Sequence, residues 1–149
     1  DFVDSIWPQK PDNNLLNTKY EAIILASIIE KEAGNHDEKH LIASVFLSRL
    51  AKNMRLQADP TIIYGLLPNF DGDIKKSDIL NKRNIYNTYM NKGLPPSPIA
   101  FASKSSISAA ILSSPSEYLY FVADSKNSHY FSKTYEEHKK AIKRLGLDK

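Results

Sequence analysis

The segment Ile23-Ile24-Leu25-Ala26-Ser27-Ile28-Ile29-Glu30-Lys31-Glu32-Ala33-Gly34 constrains this chain more than any other, because it reads as an apolar helix that ends with a carboxylate on its aliphatic side. Counting back from Glu32, the helical neighbours three, four and seven residues away are Ile29, Ile28 and Leu25, an unbroken aliphatic stripe. Glu30 has Ser27, Ala26 and Ile23 at the same offsets, a smaller and more polar surround with room for solvent or an ion pair. Burial against aliphatic side chains disfavours the charged form of a carboxyl and raises its pKa, and a proton donor working near neutral pH needs that shift. Glu32 is therefore the candidate acid. The competing reading leaves Glu32 in a solvated last turn, with Gly34 as the helix C-cap.

A chain of 149 residues that is 42% hydrophobic and 25% charged is long enough for one domain with a proper core. It has no cysteine, which excludes a disulfide framework, a thiolate metal site and a cysteine nucleophile, and which suits a bacterial protein working outside the cytoplasm. No stretch approaches the roughly 20 apolar residues of a membrane span and no signal peptide opens the chain, so the chain as given is expected to be soluble. It begins Asp1-Phe2-Val3-Asp4 without an initiator methionine, from which processing or excision from a longer protein is expected. The net charge of +3 is unevenly spread: residues 1–74 carry 7 basic and 11 acidic side chains, whereas residues 75–149 carry 13 and 6. A basic second half fits an anionic polymer, whether nucleic acid, acidic glycan or membrane surface. Its lysines are scattered or terminal, which fits a solvated helix face equally well.

Residues 1–17 are polar and proline-containing and read as an irregular N-terminal arm, leaving residues 18–149 as the functional domain. Thr18, with Glu21 three residues on, is a capping box that opens a helix over residues 18–33. A second helix is expected over residues 37–52, where Leu41, Ile42, Val45, Phe46, Arg49 and Leu50 recur at helical spacing; it should pack on the first as a hairpin across Gly34-Asn35. Asp59 as N-cap and Pro60 at the first helical position predict a short third helix. Asp71-Gly72-Asp73 reads as a turn and hairpin connection rather than a calcium loop, whose other ligand positions are unmatched. Gly93-Leu94-Pro95-Pro96-Ser97-Pro98 is a stiff extended loop that can wall a groove. Beside it, Tyr86, Asn87 and Tyr89 offer the flat apolar faces and hydrogen bonds that sugar rings require. The alternative is a surface proline turn over core aromatics. Residues 105–112 form a short helix stopped by Pro115, residues 118–123 and 129–132 an antiparallel hairpin, and Thr134 caps a final helix reaching about residue 145. The expected fold class is α+β: a helix-rich single domain with an N-terminal helical hairpin, a proline-rich groove loop and a C-terminal antiparallel β-hairpin followed by a helix.

Read in order, six pieces of this chain resemble the catalytic domain of the MltG (YceG-like) endolytic murein transglycosylases over residues 22–138. They are Ala26-Ser27-Ile28-Ile29-Glu30-Lys31-Glu32; Ala43-Ser44-Val45-Phe46-Leu47-Ser48-Arg49-Leu50; Met54-Arg55-Leu56-Gln57-Ala58-Asp59-Pro60-Thr61 with Tyr64-Gly65; Tyr86-Asn87-Thr88-Tyr89 with Gly93-Leu94-Pro95-Pro96; Tyr118-Leu119-Tyr120-Phe121-Val122-Ala123; and His129-Tyr130-Phe131. The resemblance implies that Glu32 is the catalytic acid and base and that peptidoglycan glycan strands are the substrate. The bond cleaved would be the β-1,4 link from N-acetylmuramic acid to N-acetylglucosamine, opened without water as nucleophile to leave 1,6-anhydro ends. Glu32 would protonate the leaving oxygen and then, as carboxylate, take the proton of the muramic C6 hydroxyl. The resemblance further implies the bacterial cell envelope, an N-terminal helix anchoring the longer protein at the outer face of the inner membrane, and peptidoglycan synthases as partners.

Gln57, Asp59, Tyr64, Asn87, Tyr89 and His129 are the residues expected to orient sugar or to hold Glu32. Helix capping would by itself account for Asp59, and hairpin pairing for His129. Glu30 is assigned a structural role near Lys31 or Arg49. It points to a different helix face from Glu32, so the two do not form the carboxylate pair of an ordinary glycosidase, about 5–5.5 Å apart when retaining and about 6.5–9.5 Å when inverting. No cofactor and no metal are expected, since a zinc site from His129, Glu137 and His138 lacks the usual ligand spacing. Asn53, where relatives often have glycine, and Ala100-Phe101-Ala102-Ser103 depart from the family pattern and bear on groove shape. Two other function classes compete: a non-catalytic peptidoglycan-binding or scaffold module, and a nucleic-acid binder acting through the basic half. The latter lacks any recognised motif or aromatic-basic interleaving.

Overall fold

In the computed structural model, which describes residues 1–124 and 126–146, helix α2 (Lys19–Glu32) is the element on which the helical core is built. It starts as the sequence spells: Thr18 accepts the Glu21 backbone N–H, and the Glu21 carboxylate accepts the Thr18 N–H in return. Ala22, Ile24, Leu25, Ala26, Ser27, Ile28 and Ile29 are all buried, so α2 is enclosed on more than one face. Helices α3 (Lys39–Ala51) and α6 (Lys104–Leu112) pack against it, bringing Ile42, Phe46 and Ile111 onto Leu25, Ile28 and Ile29 at the centre of the core. Each of these large side chains contributes about 1.5–3 kcal/mol by leaving water. A 3₁₀ turn at His36–Glu38 precedes α3, so the second helix of the hairpin begins slightly later than its periodicity suggests.

Helices α4 (Asp59–Leu66) and α5 (Lys76–Ile79) follow α3 in the chain. Strands β1 (Tyr120–Ala123) and β2 (His129–Ser132) pair antiparallel with Tyr120 opposite Ser132 and Ala123 opposite His129. Helix α7 (Tyr135–Arg144) starts at Thr134, whose hydroxyl accepts the Glu137 N–H, and packs back on this hairpin. The architecture is therefore the helix-rich α+β domain expected, and among the described residues no helix is long and apolar enough to cross a membrane.

Three local expectations are corrected. The N-terminal arm is not irregular throughout: it contains α1 (Phe2–Ile6) and a 3₁₀ turn at Trp7–Gln9, and α1 packs on α6. Asn14 in this arm is fully buried and shares its Nδ2 donors among the carbonyls of Ala110, Ile111 and Ser113, so the arm satisfies the C-terminal carbonyls of α6. Asp71-Gly72-Asp73 joins no strands. It is a turn in which Asp71 accepts the Asp73 N–H and pairs with Lys75 ahead of α5. Gly34 is not a left-handed cap, because Ala33 closes α2 in an extended conformation. The glycine answers a close approach instead: a Cβ there would lie 2.5 Å from the Asn127 Oδ1 and 2.7 Å from the Asn127 carbonyl oxygen.

Candidate active site

A cleft of about 460 Å³ opens where the C-terminal end of α2 meets α3, the start of α4, β1, β2 and α7. Glu32, the last residue of α2, lines it, with the fully buried Leu25, Ile28 and Ile29 of its stripe behind. Among the described residues its carboxyl has neither a hydrogen-bond donor nor a cationic partner. Burial first, and then the charge of nearby Asp59, push it up to about 7.

Glu30 lies on the other side of the helix. Its Oε1 accepts the Ser103 N–H at 2.9 Å and the Ser106 hydroxyl at 2.8 Å, with the Lys39 ammonium at 3.7 Å. The Ser103 N–H above all, with the two serine hydroxyls and Lys39 adding to it, holds this carboxyl down to about 2. Its role is structural, tying the N-terminus of α6 to α2, and its cationic partner is Lys39 rather than Lys31 or Arg49.

Asp59 does not cap α4; Ala58 occupies that position and the Asp59 side chain makes no capping bond. Its Oδ1 accepts the Tyr89 hydroxyl at 2.6 Å, across 30 residues of sequence. Burial and this bond drive the Tyr89 hydroxyl far above its ordinary value, so Tyr89 stays a donor. Thr88 sets the pair in place: its Oγ1 accepts the Ala58 N–H at 2.9 Å and meets the Thr61 hydroxyl at 2.9 Å, while its carbonyl accepts the Gln57 N–H. Gln57 adopts φ 54, a left-handed conformation uncommon for a residue other than glycine, and lines the cleft next to Asp59. His129 also lines the cleft, gripped by Glu38, which accepts its backbone N–H at 2.8 Å and faces its Nδ1 at 2.9 Å. A carboxylate only accepts, so this contact places a proton on Nδ1.

The structure therefore brings Glu32, Gln57, Asp59, Tyr89 and His129 together and leaves two expected residues elsewhere. Tyr64 packs on Tyr86 at 4.8 Å between ring centroids and faces a separate shallow groove beside Pro98 and Phe101. Asn87 is fully buried, its Nδ2 donating to the carbonyls of Asp78, Ile79 and Asn81 at the end of α5, and so cannot touch a ligand. The proline loop also lies apart, with Leu94 and Pro95 lining an apolar groove shared with Leu15, Leu16 and Ile24.

Arg49, Tyr120 and His138 are among the lining residues that the sequence did not point to. Arg49 sits on the buried side of α3 with Val45 and Phe46, and an arginine at an inward helical position was the available clue. His138 stacks on Tyr120 at 5.0 Å, and burial together with the Arg49 charge lowers its pKa. No cluster of three or more His, Asp or Glu side chains among the described residues is arranged to hold a metal ion.

Fold and cleft together define a small α+β domain whose central buried helix ends with a carboxyl set in a cleft. The chain belongs to the YceG-like family, whose model matches residues 2–144. It is 44% identical over 122 residues to the endolytic murein transglycosylase of Bacillus subtilis, covering 82% of this chain and 33% of the relative. The endolytic murein transglycosylase of Streptococcus pneumoniae is 33% identical over 129 residues, covering 84% and 23%. A YceG-like protein from Listeria monocytogenes, solved by crystallography, is 46% identical and superposes with a TM-score of 0.76 over 83% of this chain and 40% of that one. The chain thus spans about a third or less of the length of these curated relatives.

Proposed function

We propose that this domain is the catalytic part of an endolytic murein transglycosylase that cleaves peptidoglycan glycan strands with Glu32 as its acid and then its base. The observation that carries the reading is Glu32 itself, set in the cleft without a hydrogen-bond or ionic partner among the described residues and pushed up to about 7 by burial and the Asp59 charge. Such an acid can protonate the bridging oxygen between N-acetylmuramic acid and N-acetylglucosamine near neutral pH. As the C1–O bond breaks, positive charge develops at C1 and the ring oxygen. Asp59, fixed by the Tyr89 hydroxyl, supplies a preorganised negative charge to stabilise it. The Glu32 carboxylate then takes the C6 hydroxyl proton while that oxygen attacks C1. This closes the 1,6-anhydro ring and returns Glu32 to its acid form. The names of the Bacillus and Streptococcus relatives support murein as the substrate class. In this reading residues 18–149 are the catalytic unit with residues 1–17 as its buttress. The setting is the bacterial cell wall at the outer face of the inner membrane, alongside peptidoglycan synthases.

Asp59 gives one rival reading a specific footing: as a second carboxylate in the cleft it could serve a hydrolase as base or nucleophile. Product analysis separates them. Incubated with uncrosslinked peptidoglycan, the protein should yield 1,6-anhydro ends by mass spectrometry, and the Glu32→Gln variant none. Hydrated reducing ends would establish the hydrolase, and strand binding without products from either protein would leave a binding module.

A further inference from the structure

Arg49 is only 6% exposed, yet it lines the cleft. Its Nε–H donates to the Leu119 carbonyl at 2.7 Å, and Nη1 donates to the Arg55 carbonyl at 2.7 Å and lies 3.5 Å from the Gln57 side-chain oxygen. All three acceptors are neutral. The Tyr120 ring, 4.9 Å from Cζ, braces the guanidinium plane. Among the described residues no acidic side chain pairs with it: Glu30 is with Lys39, Glu38 with His129, Glu117 with Lys133, and Asp59 takes its hydrogen bond from Tyr89. No partner for Nη2 is found among the described residues either. Neutral donors could satisfy the Leu119 and Arg55 carbonyls, so these bonds do not explain why a full positive charge is kept here against the cost of desolvation.

We infer that Arg49 receives a carboxylate of the glycan substrate, making the cleft selective for acidic strands over neutral amino-sugar polymers. This rests on reading the cleft as a glycan-cleaving site. With Nε and Nη1 anchored, the guanidinium is held rigid and keeps its Nη2 donors for a charge-assisted bond to a carboxylate. Two sources share that chemistry: the lactyl carboxylate of a muramic residue without peptide, and the carboxylates of a stem peptide on a muramic residue that carries one.

The test titrates the Glu32→Gln chain by calorimetry with three probes. These are a tetrasaccharide of alternating N-acetylglucosamine and N-acetylmuramic acid with free lactyl groups, the same tetrasaccharide carrying stem peptides, and chitotetraose. At least one acidic probe should bind about tenfold or more tighter than chitotetraose, and whichever carries the gain identifies the source. Arg49→Lys and Arg49→Gln, made in the same background, should bring the three probes within about twofold of each other. Equal binding of all three probes, or an acid preference that survives loss of the guanidinium, would overturn the proposal. Because Arg49→Gln also frees two backbone carbonyls and can disturb folding, the guanidinium nitrogen resonances of the Glu32→Gln chain provide a check with Arg49 intact. The Arg49 signals should move on adding the acidic probe and stay with chitotetraose; no movement with the bound acidic probe counts against the assignment. Failure of the catalytic reading looks different: the acid preference would persist while the unmodified chain releases no 1,6-anhydro ends.

Discussion

A charged Glu32 works against folding. Its carboxyl titrates at about 7 in the folded chain against an ordinary 4.5, so between these values the native state binds more protons than the unfolded one and stability falls as pH rises. Glu32→Gln removes that penalty. The variant should be more stable than the parent by about 1–3 kcal/mol at pH 8 and indistinguishable from it near pH 3, read from urea midpoints. A variant that loses stability at pH 8 would mean that the carboxylate has a partner in the fold. Glu30, two residues away, has the opposite linkage: held down to about 2 by the Ser103 N–H, it stabilises the domain above pH 4.5 and loses that effect as pH falls toward 2. One turn of helix thus carries one carboxyl held low and another pushed high, separated by what each faces.

The elements around Glu32 are held in register by contacts between the α2–α3 loop and the β-hairpin. Asn127 donates to the Gly34 carbonyl, Asn35 donates to the Asn127 carbonyl at 2.9 Å, and Glu38 grips His129. Gly34→Ala would push a methyl group into Asn127, backbone as well as side chain. The expected result is a loss of about 1–3 kcal/mol together with slower cleavage, although Glu32 is untouched; unchanged stability would show that the turn can yield freely. The starts and faces of these elements were legible in the sequence, because capping at Thr18 and Thr134, the stripe below Glu32 and the β-prone runs are all local patterns. Asn87 and Tyr64 were misplaced for the complementary reason. Both look like sugar-binding side chains, but Asn87 is consumed by carbonyls of the α5 end and Tyr64 by Tyr86, partners that periodicity does not reveal. Asp59 shows the reverse case, where a capping position proved to be a cleft carboxylate because Tyr89 arrives from 30 residues away.

At the scale of the molecule, the arm and the cleft lie at opposite ends of one chain of support. Asn14 closes the C-terminus of α6, while α6 receives Glu30 at its N-terminus and packs along α2, which ends in Glu32. Deleting residues 1–17 should therefore cost at least about 2 kcal/mol of stability through exposed carbonyls and the lost burial of Leu16, measured by urea unfolding. An unchanged midpoint would make the arm an appendage, as its polar composition alone suggests. Some of the unevenly spread charge is, by contrast, engaged in ion pairs: Lys39, in the acidic half, is buried beside Glu30, and Lys133, in the basic half, pairs with Glu117 at the surface.

Whether Glu32 keeps its proton near neutral pH is measured directly by a ¹³C titration of its side-chain carboxyl, assigned by comparison with Glu32→Gln. The midpoint should fall at about 7, and in an Asp59→Asn variant it should move down while staying above 4.5, because burial is the larger cause and the Asp59 charge the smaller. A midpoint near 4.5 in the unaltered protein would mean a solvated carboxylate at the end of α2, and Glu32 could not be the acid.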